Sequence, residues 1–270
     1  MNKSLFAQLI LVFIICQVLG LIVALNLIQT DQAVQIVSEN ASDPLNALAL
    51  FGYIIVMTIV LLIGIKLLKG RFLLRFVEIA AVFSTSLIVF SLFVPDLYAF
   101  ALAIILIALR LIFKENLMLR NVSSVIAVSA VGSLIGVSLS LIPILVFAGI
   151  LFFYDLIAVF YLKHMVTLAE NVTKRNLAFT VALPTKEHKF ELGTGDLAIP
   201  LMVSSSILKF WSANLNLNFI VAIIVLIASL TGLIITVDYS TRHPGKALPA
   251  LPLQVAAMFF MIILAKVFLG

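Results

Sequence analysis

Nine apolar runs divide the chain, and they restrict its fold more than any other feature of the sequence. A helix needs about 20 apolar residues to cross the hydrocarbon core of a bilayer. Only 11% of the residues are charged, against roughly 25% in soluble domains. The sequence therefore predicts an all-α, multi-pass membrane protein with nine transmembrane helices. The runs cover roughly residues 4–29, 46–66, 73–94, 97–113, 122–140, 142–163, 196–212, 217–237 and 248–268.

The basic residues in the connections predict the direction of these helices. Of the 17 lysines and arginines, only Lys209 and Lys266 fall on the outer side when the N-terminus is placed inside. Because lysine and arginine are enriched in cytoplasmic loops, the N-terminus is expected in the cytoplasm and the C-terminus outside. Residues 1–270 are expected to form one membrane domain. It comprises spans 1–6 (about 4–163), a cytoplasmic loop (about 164–195) and spans 7–9 (about 196–268).

Several classes of partner are excluded by the sequence. The net charge of +5 does not indicate nucleic acid, because the basic residues lie in short loops and form no basic tail or helix face. A metalloprotease would need His-Glu-x-x-His, but His164, His188 and His243 are isolated and none precedes a glutamate. We therefore expect no metal and no cofactor. The lipid bilayer is the expected surrounding, and a homo-oligomer is compatible with the sequence.

One carboxylate stands inside an apolar run. In the stretch IPILVFAGILFFYDLIAVFYL, which covers residues 142–162, Asp155 is the only charged residue. Ionising a carboxylate within a membrane helix costs at least ~2.5 kcal/mol, so such a residue is by default a candidate for a functional site and needs a partner.

Asp196 is the candidate partner. It begins the seventh run directly after Gly193-Thr194-Gly195, where two glycines permit positive backbone torsions and close approach by another chain. Aspartate is also a leading helix N-cap residue, so an ordinary capping role is the alternative. Pro200, four residues later, cannot donate a hydrogen bond to the Asp196 carbonyl oxygen, which leaves the backbone open there.

The two aspartates are expected at a similar depth in the inner part of the membrane. Asp155 lies eight residues before Lys163, or about 12 Å from the inner surface. With Trp211 at the outer aromatic belt, a ~30 Å core places Asp196 about 6 Å deep. Two adjacent carboxylates in a poorly solvated site share one proton, which supplies a general base and a general acid for peptide hydrolysis. A proton- or ion-coupled transporter and a scaffold for membrane helices are the alternatives.

Three short motifs carry a resemblance to a known family. They are Tyr154-Asp155 in the sixth run, Gly193-x-Gly195-Asp196 at the seventh and Pro249-Ala250-Leu251 at the ninth. Together and in this order they resemble the motifs of the presenilin and signal-peptide-peptidase family of intramembrane aspartyl proteases. The compact form is similar to that of a prokaryotic, archaeal homologue. Presenilins carry a long hydrophilic insertion before the seventh span, so the resemblance does not imply self-cleavage here.

The resemblance implies an aspartic endopeptidase in which Asp155 and Asp196 are the catalytic residues. The implied substrates are transmembrane helices, either membrane-protein stubs or signal peptides, and the implied location is the cell membrane. It also implies substrate contacts by the residues around the aspartates, namely Tyr154, Leu192, Gly193, Thr194, Gly195, Pro249, Ala250 and Leu251.

A helical substrate must be unwound before cleavage, and its freed main-chain groups then need new partners. Addition of the substrate as a strand provides them, and residues 189–192, directly before the glycine-rich turn, are the candidate enzyme strand. We expect residues 188–193 to be mobile without ligand and extended once substrate binds. Residues 177–183 are expected only to cover the membrane surface.

Further expectations concern packing and charge. Gly132 and Gly136 form a G-x-x-x-G pair that lets a neighbouring helix approach closely. Arg75 and Glu78 are three residues apart and predict a local ion pair. Arg110 is expected to extend its side chain to the membrane surface.

Overall fold

Every predicted apolar run coincides with a helix in the described part of the chain. The computed structural model describes residues 3–67, 71–157, 178–184, 189–243 and 249–269. Within these residues the regular secondary structure is helical apart from one pair of short strands. The elements are α1 (Lys3–Gln29), α2 (Leu45–Leu67), α3 (Arg71–Phe90), α4 (Asp96–Ile112), α5 (Leu117–Ser138), α6 (Leu141–Ile157), β1 (Thr180–Pro184), β2 (Lys189–Gly193), α7 (Gly195–Phe210), α8 (Leu215–Arg242) and α9 (Ala250–Leu269).

The predicted boundaries agree with the helices to within a few residues at most ends. There are two exceptions of five residues: α5 begins at Leu117 and not at 122, and α8 continues beyond the predicted end at 237 to Arg242. The polar residues near its end do not stop it; it stops just before His243, which precedes Pro244 and is therefore biased away from the helical conformation. Residues 158–163 of the sixth run lie outside the described residues, as does most of the predicted loop 164–195 with His164 and His188.

The outer surface of the bundle is apolar. On α4, for example, Leu97 and Ile112 are 77% and 69% exposed, which is stable in lipid but not in water. The protein is therefore a multi-pass membrane protein, whereas the nine crossings and their direction remain predictions. Within the described residues, five helices are long and apolar enough to cross a membrane: Lys3–Gln29, Leu73–Phe90, Leu117–Ser138, Leu215–Arg242 and Ala250–Phe268.

Helix α5 is largely buried in the bundle, and two glycines bring it close to α7. A Cβ atom built on Gly136 would lie 2.5 Å from the carbonyl oxygen of Met202, and one on Gly132 would lie 2.9 Å from Cδ2 of Leu201. Both distances are shorter than a real Cβ contact. A larger residue at Gly136 would therefore push the helices apart, whereas one at Gly132 would displace the Leu201 side chain. The predicted close approach at the G-x-x-x-G pair is confirmed.

The substitution Gly136→Ala is expected to lower thermal stability, because the added methyl group overpacks the contact between α5 and α7. Overpacking costs about 1–3 kcal/mol. Gly149→Ala in α6 is the matched control, since a Cβ atom there would meet nothing within 4 Å and alanine favours the helix. Thermal unfolding of both variants in one detergent measures the difference. An unchanged melting temperature for Gly136→Ala would contradict the close packing.

Glu78 on α3 is the centre of a buried ion cluster. Arg75 Nη1 lies 2.8 Å from Glu78 Oε2, which confirms the predicted pair, and Arg110 Nη2 of α4 lies 3.1 Å from Glu78 Oε1. The expectation for Arg110 is wrong, because this residue is only 3% exposed. Its guanidinium also donates to the carbonyl oxygen of Lys114 at 2.9 Å. A buried arginine requires such a compensating carboxylate, and Glu78 supplies it.

Strands β1 and β2 form an antiparallel hairpin, from Thr180 opposite Gly193 to Pro184 opposite Lys189. The three central residues of β1 are buried, so the expectation that this segment only covers the membrane surface is wrong. The expected change of 189–193 to an extended conformation on substrate binding is also wrong, because pairing with β1 already holds these residues extended; their mobility without ligand stays a prediction. The all-α prediction is incomplete at this one place, where β-branched and aromatic residues favour strands.

Candidate active site

Asp155 lies near the end of the described part of α6, and its carboxylate is bonded to the first turn of α9. The backbone N–H of Leu251, the second residue of α9, donates to this carboxylate. The first four N–H groups of a helix have no partner within the helix, and the positive end of the helix dipole favours a negative group. The Pro249-Ala250-Leu251 motif therefore begins a helix whose N-terminus holds Asp155.

Asp196 lies in the first turn of α7, which begins at Gly195. The N-cap position belongs to Thr194, which makes no side-chain capping hydrogen bond. The capping interpretation of Asp196 is therefore wrong, because this residue is already inside the helix. Its carboxylate accepts a hydrogen bond from the backbone N–H of Gly193, so the turn before α7 folds back onto the aspartate.

The two glycines of this turn contribute bare main chain and not an unusual backbone conformation. Neither Gly193 nor Gly195 has a φ in the left-handed region, so the positive torsions that the sequence permits are not used. A Cβ atom on Gly193 would lie 3.4 Å from Asp196 Oδ2, and one on Gly195 would enter open space. The main chain in front of Asp196 is therefore uncovered.

Asp155 and Asp196 line one cavity of about 610 Å³, and their carboxylates are close enough to interact electrostatically. Ligand sites have volumes of roughly 300–1,000 Å³, so an unwound stretch of peptide can enter this cavity. Its wall is mostly apolar and comes from several membrane helices, with Val82, Val128, Val131, Phe147, Ile199 and Met202 among the lining residues.

Most of the predicted site residues meet at this cavity, but three do not belong to its lining among the described residues. Leu192 is only 2% exposed, and its side chain packs into the core. Pro249 is buried and Ala250 is partly buried at the start of α9, where they place the Leu251 N–H. The predicted residues that line the cavity are Tyr154, Asp155, Gly193, Thr194, Gly195, Asp196 and Leu251.

A comparison with protein families covers nearly the whole chain. The family described as "Signal-peptide peptidase, presenilin aspartyl protease" matches residues 10–268. The chain belongs to this family. The predicted aspartic endopeptidase is thereby confirmed, and the transporter alternative gains no support.

Two solved structures share the fold of this presenilin-family protease. Both are of a presenilin family intramembrane aspartate protease, one in space group P2 and one in C222. The first is 23% identical, has a TM-score of 0.66 and matches over 96% of each chain. The second is 20% identical, has a TM-score of 0.65 and matches over 94% of each chain. No curated protein matches the sequence.

A third carboxylate of the protease lines the cavity, although the sequence predicts for it only a local ion pair with Arg75. Glu78 belongs to the cavity wall, and its Oε1 accepts a hydrogen bond from the Ala178 N–H at 3.0 Å. Thr194 Oγ1 donates to the neighbouring carbonyl oxygen of Phe179 at 3.1 Å, so residues 178–179 connect the ion cluster to the start of α7. Within the described residues, no group of three or more His, Cys, Asp or Glu could hold a metal ion.

The protease also uses a buried glutamine that the sequence analysis missed. Gln17 of α1 donates through Nε2 to the carbonyl oxygen of Leu197 at 3.0 Å. Leu197 directly follows Asp196 in the first turn of α7. Pro200 has no N–H to donate to the carbonyl oxygen of Asp196. Helix α1 therefore supports the opened turn of α7. The only signal in the sequence is that Gln17 lies in the middle of the first apolar run, whereas the other amides of this run, Gln8, Asn26 and Gln29, lie nearer its ends.

The hairpin of the protease has one open edge. The N–H and C=O of Ala182 both bond to the Asn121 side chain of α5, so the Ala182–Glu191 pair exchanges no main-chain hydrogen bonds. Such pairs alternate along an antiparallel ladder, and hence Phe190 and Leu192 are the residues that bond to β1. The main-chain N–H and C=O of Glu191 point to the outer edge, where no group of the described residues bonds to them.

Proposed function

We propose that Asp155 and Asp196 form a catalytic dyad that hydrolyses peptide bonds of transmembrane helices with an activated water molecule. The observation that carries this proposal is that both carboxylates line one apolar cavity and interact with each other. Two like charges in a poorly solvated site are unfavourable, so the pair holds one proton and titrates in two coupled steps.

In the singly protonated state the two aspartates have different tasks. The ionised carboxylate takes a proton from water as the water oxygen attacks the carbonyl carbon of the peptide bond, and the protonated one donates to the carbonyl oxygen. The C–N bond of the tetrahedral intermediate then breaks as a proton moves to the leaving nitrogen. No covalent bond to the enzyme forms. Hydrogen bonds from Leu251 and Gly193 hold the two carboxylates in place for these steps.

The substrate presents its scissile bond as an extended strand. A transmembrane helix engages its own carbonyl groups, and once it is unwound these groups need partners in the apolar site. The open edge of β2 offers the main chain of Glu191, two residues before Gly193 and the turn that leads to Asp196. Antiparallel or parallel addition to this edge brings the substrate main chain beside the dyad. Membrane-protein stubs and signal peptides are the proposed substrates.

The proposed arrangement in the membrane is one domain of nine spans in the cell membrane. The distribution of lysine and arginine places the N-terminus in the cytoplasm. The dyad then lies in the inner part of the bilayer, and the hairpin lies at its cytoplasmic side.

Cleavage of a transmembrane peptide by the purified protein tests the proposal through its pH dependence. The rate is expected to follow a bell-shaped profile: it falls on the acid side when both aspartates are protonated, and on the alkaline side when the shared proton is lost. A metal chelator is expected to have no effect. Activity that keeps rising through the alkaline range, or that disappears with the chelator, would contradict a carboxylate dyad.

A further inference from the structure

The outer edge of β1 is occupied by a side chain that imitates a strand. Asn121 Nδ2 donates to the carbonyl oxygen of Ala182 at 2.7 Å, and Asn121 Oδ1 accepts from the Ala182 N–H at 2.8 Å. One residue of a neighbouring antiparallel strand would make the same two bonds. The side-chain amide of Asn121 thus bonds to the N–H and C=O of Ala182, which would otherwise be unpaired at the outer edge of β1.

Other residues on the same end of α5 hold the rest of the hairpin. Ser124 Oγ lies 3.0 Å from the carbonyl oxygen of Ala178 and 3.2 Å from that of Thr180. Arg120 Nη2 bonds to Glu191 Oε2 of β2 at 2.7 Å, and Thr180 Oγ1 donates to the same oxygen at 2.7 Å. Helix α5 therefore holds both strands. It bonds to the main chain of β1 but only to the Glu191 side chain of β2, so the main chain of β2 stays unoccupied by α5.

The two edges of the hairpin are consequently unequal. An unsatisfied main-chain edge is a template for any further strand, so the groups of Ala182 would be a second such edge if no side chain bonded to them. Pairing with β1 would place the substrate one strand farther from the dyad. Asn121 closes that edge and leaves the groups of Glu191 available.

We propose that Asn121 is a positioning residue that directs an unwound substrate to the β2 edge. It does so by closing the β1 edge and by holding the hairpin ready before substrate binds. This inference rests on the proposed strand addition to β2. A hairpin that is already ordered spares the substrate the entropy of ordering it, so Asn121 acts mainly on KM.

Asn121→Leu tests the proposal, because leucine has a similar size and makes neither hydrogen bond. We expect KM for a transmembrane peptide to rise about tenfold, as the loss of two hydrogen bonds allows, while kcat changes less. Mass spectrometry of the products is expected to show additional cleavage sites, because the hairpin no longer fixes the register. Asn121→Asp keeps the acceptor for the Ala182 N–H and loses the donor, so its KM should lie between those of wild type and Asn121→Leu. If the leucine variant does not fold, the KM of Asn121→Asp is the test of the proposal.

Asn218→Leu is the matched control. Asn218 of α8 is a buried asparagine that holds main chain at the end of α7 and just after it, through bonds from Nδ2 to the carbonyl oxygens of Leu208 and Ser212. Its loss should lower stability but leave KM and the cleavage sites unchanged. Unaltered KM and products in folded Asn121→Leu or Asn121→Asp, or an equal change in Asn218→Leu, would overturn the proposal. Failure of the dyad is recognised separately, by cleavage that survives Asp155→Asn or Asp196→Asn.

Discussion

Replacing either Asp155 or Asp196 with asparagine is expected to abolish cleavage of a transmembrane peptide. Asparagine keeps the size of the side chain and an oxygen that accepts the hydrogen bond from Leu251 or Gly193. It cannot give or take the proton that the mechanism moves between water, substrate and enzyme. General acid–base catalysis contributes roughly 10²–10⁴-fold to the rate, and each variant loses both halves of it, since the remaining carboxylate has no partner with which to share a proton. Activity should therefore fall below detection.

Asp96→Asn is the matched control for this experiment. Asp96, like Asp196, lies in the first turn of a helix, but it is exposed at the start of α4. The same chemical change there should leave turnover unchanged. Each variant is compared with wild type for its melting temperature and elution profile in detergent, so that inactivity is separated from unfolding. Full activity in folded Asp155→Asn or Asp196→Asn would refute the proposed mechanism.

Glu191→Pro is expected to reduce kcat/KM at least about tenfold relative to Glu191→Ala. Both variants lose the carboxylate that Arg120 holds, so this loss cancels in the comparison. Only proline removes the main-chain N–H at the open edge and fills its place with a ring. One hydrogen bond contributes about 0.5–1.5 kcal/mol, and about 1.4 kcal/mol corresponds to a tenfold change. The proline ring adds a steric barrier to an incoming strand.

The fold is expected to tolerate this proline, because the affected N–H does not bond to β1 and proline is accepted at strand edges. Equal melting temperatures of the two variants verify this point. The same substitution at Leu192 is a less selective test, since the Leu192 N–H belongs to the ladder with β1 and its side chain packs in the core. Equal kcat/KM for Glu191→Pro and Glu191→Ala would refute strand addition to β2 but would not affect the dyad.

The sequence predicts those parts of the structure that depend on local pattern. Apolar runs separated by charged loops predict the helices. The G-x-x-x-G spacing predicts that another helix packs closely on α5, because small residues allow close approach by any neighbouring helix. A single carboxylate in an apolar run indicates Asp155, since its cost in lipid is a property of the residue alone. The Gly193-x-Gly195-Asp196 motif at the start of the seventh run indicates Asp196, although the capping alternative fails because the helix begins earlier and its N-cap is Thr194, two residues before Asp196.

The parts that depend on distant partners could not be predicted. Arg110 looks like a residue at a membrane surface until Glu78 of another helix is known to reach it. Asn121 is one polar residue near the start of an apolar run, and nothing in its neighbourhood of the sequence indicates that it bonds to Ala182. The hairpin is only partly predictable. Residues 189–192 are expected to form a strand because they directly precede the glycine-rich turn, but their partner β1 lies in a segment that is expected only to cover the membrane surface.

The hydrogen bond between Gln17 and Leu197 has a consequence for the order in which the active protein is made. The two residues are 180 positions apart, so α1 enters the membrane long before its partner on α7 leaves the ribosome. During that interval the amide of Gln17 lacks the Leu197 carbonyl oxygen as a partner, and an unpaired polar group in hydrocarbon is unfavourable. Insertion of α7 relieves this cost and at the same moment brings Asp196 to the bundle. Assembly of the proposed catalytic site is thereby coupled to the insertion of α7, and an interrupted translation product ending before α7 contains Asp155 but lacks Asp196, the other half of the proposed dyad.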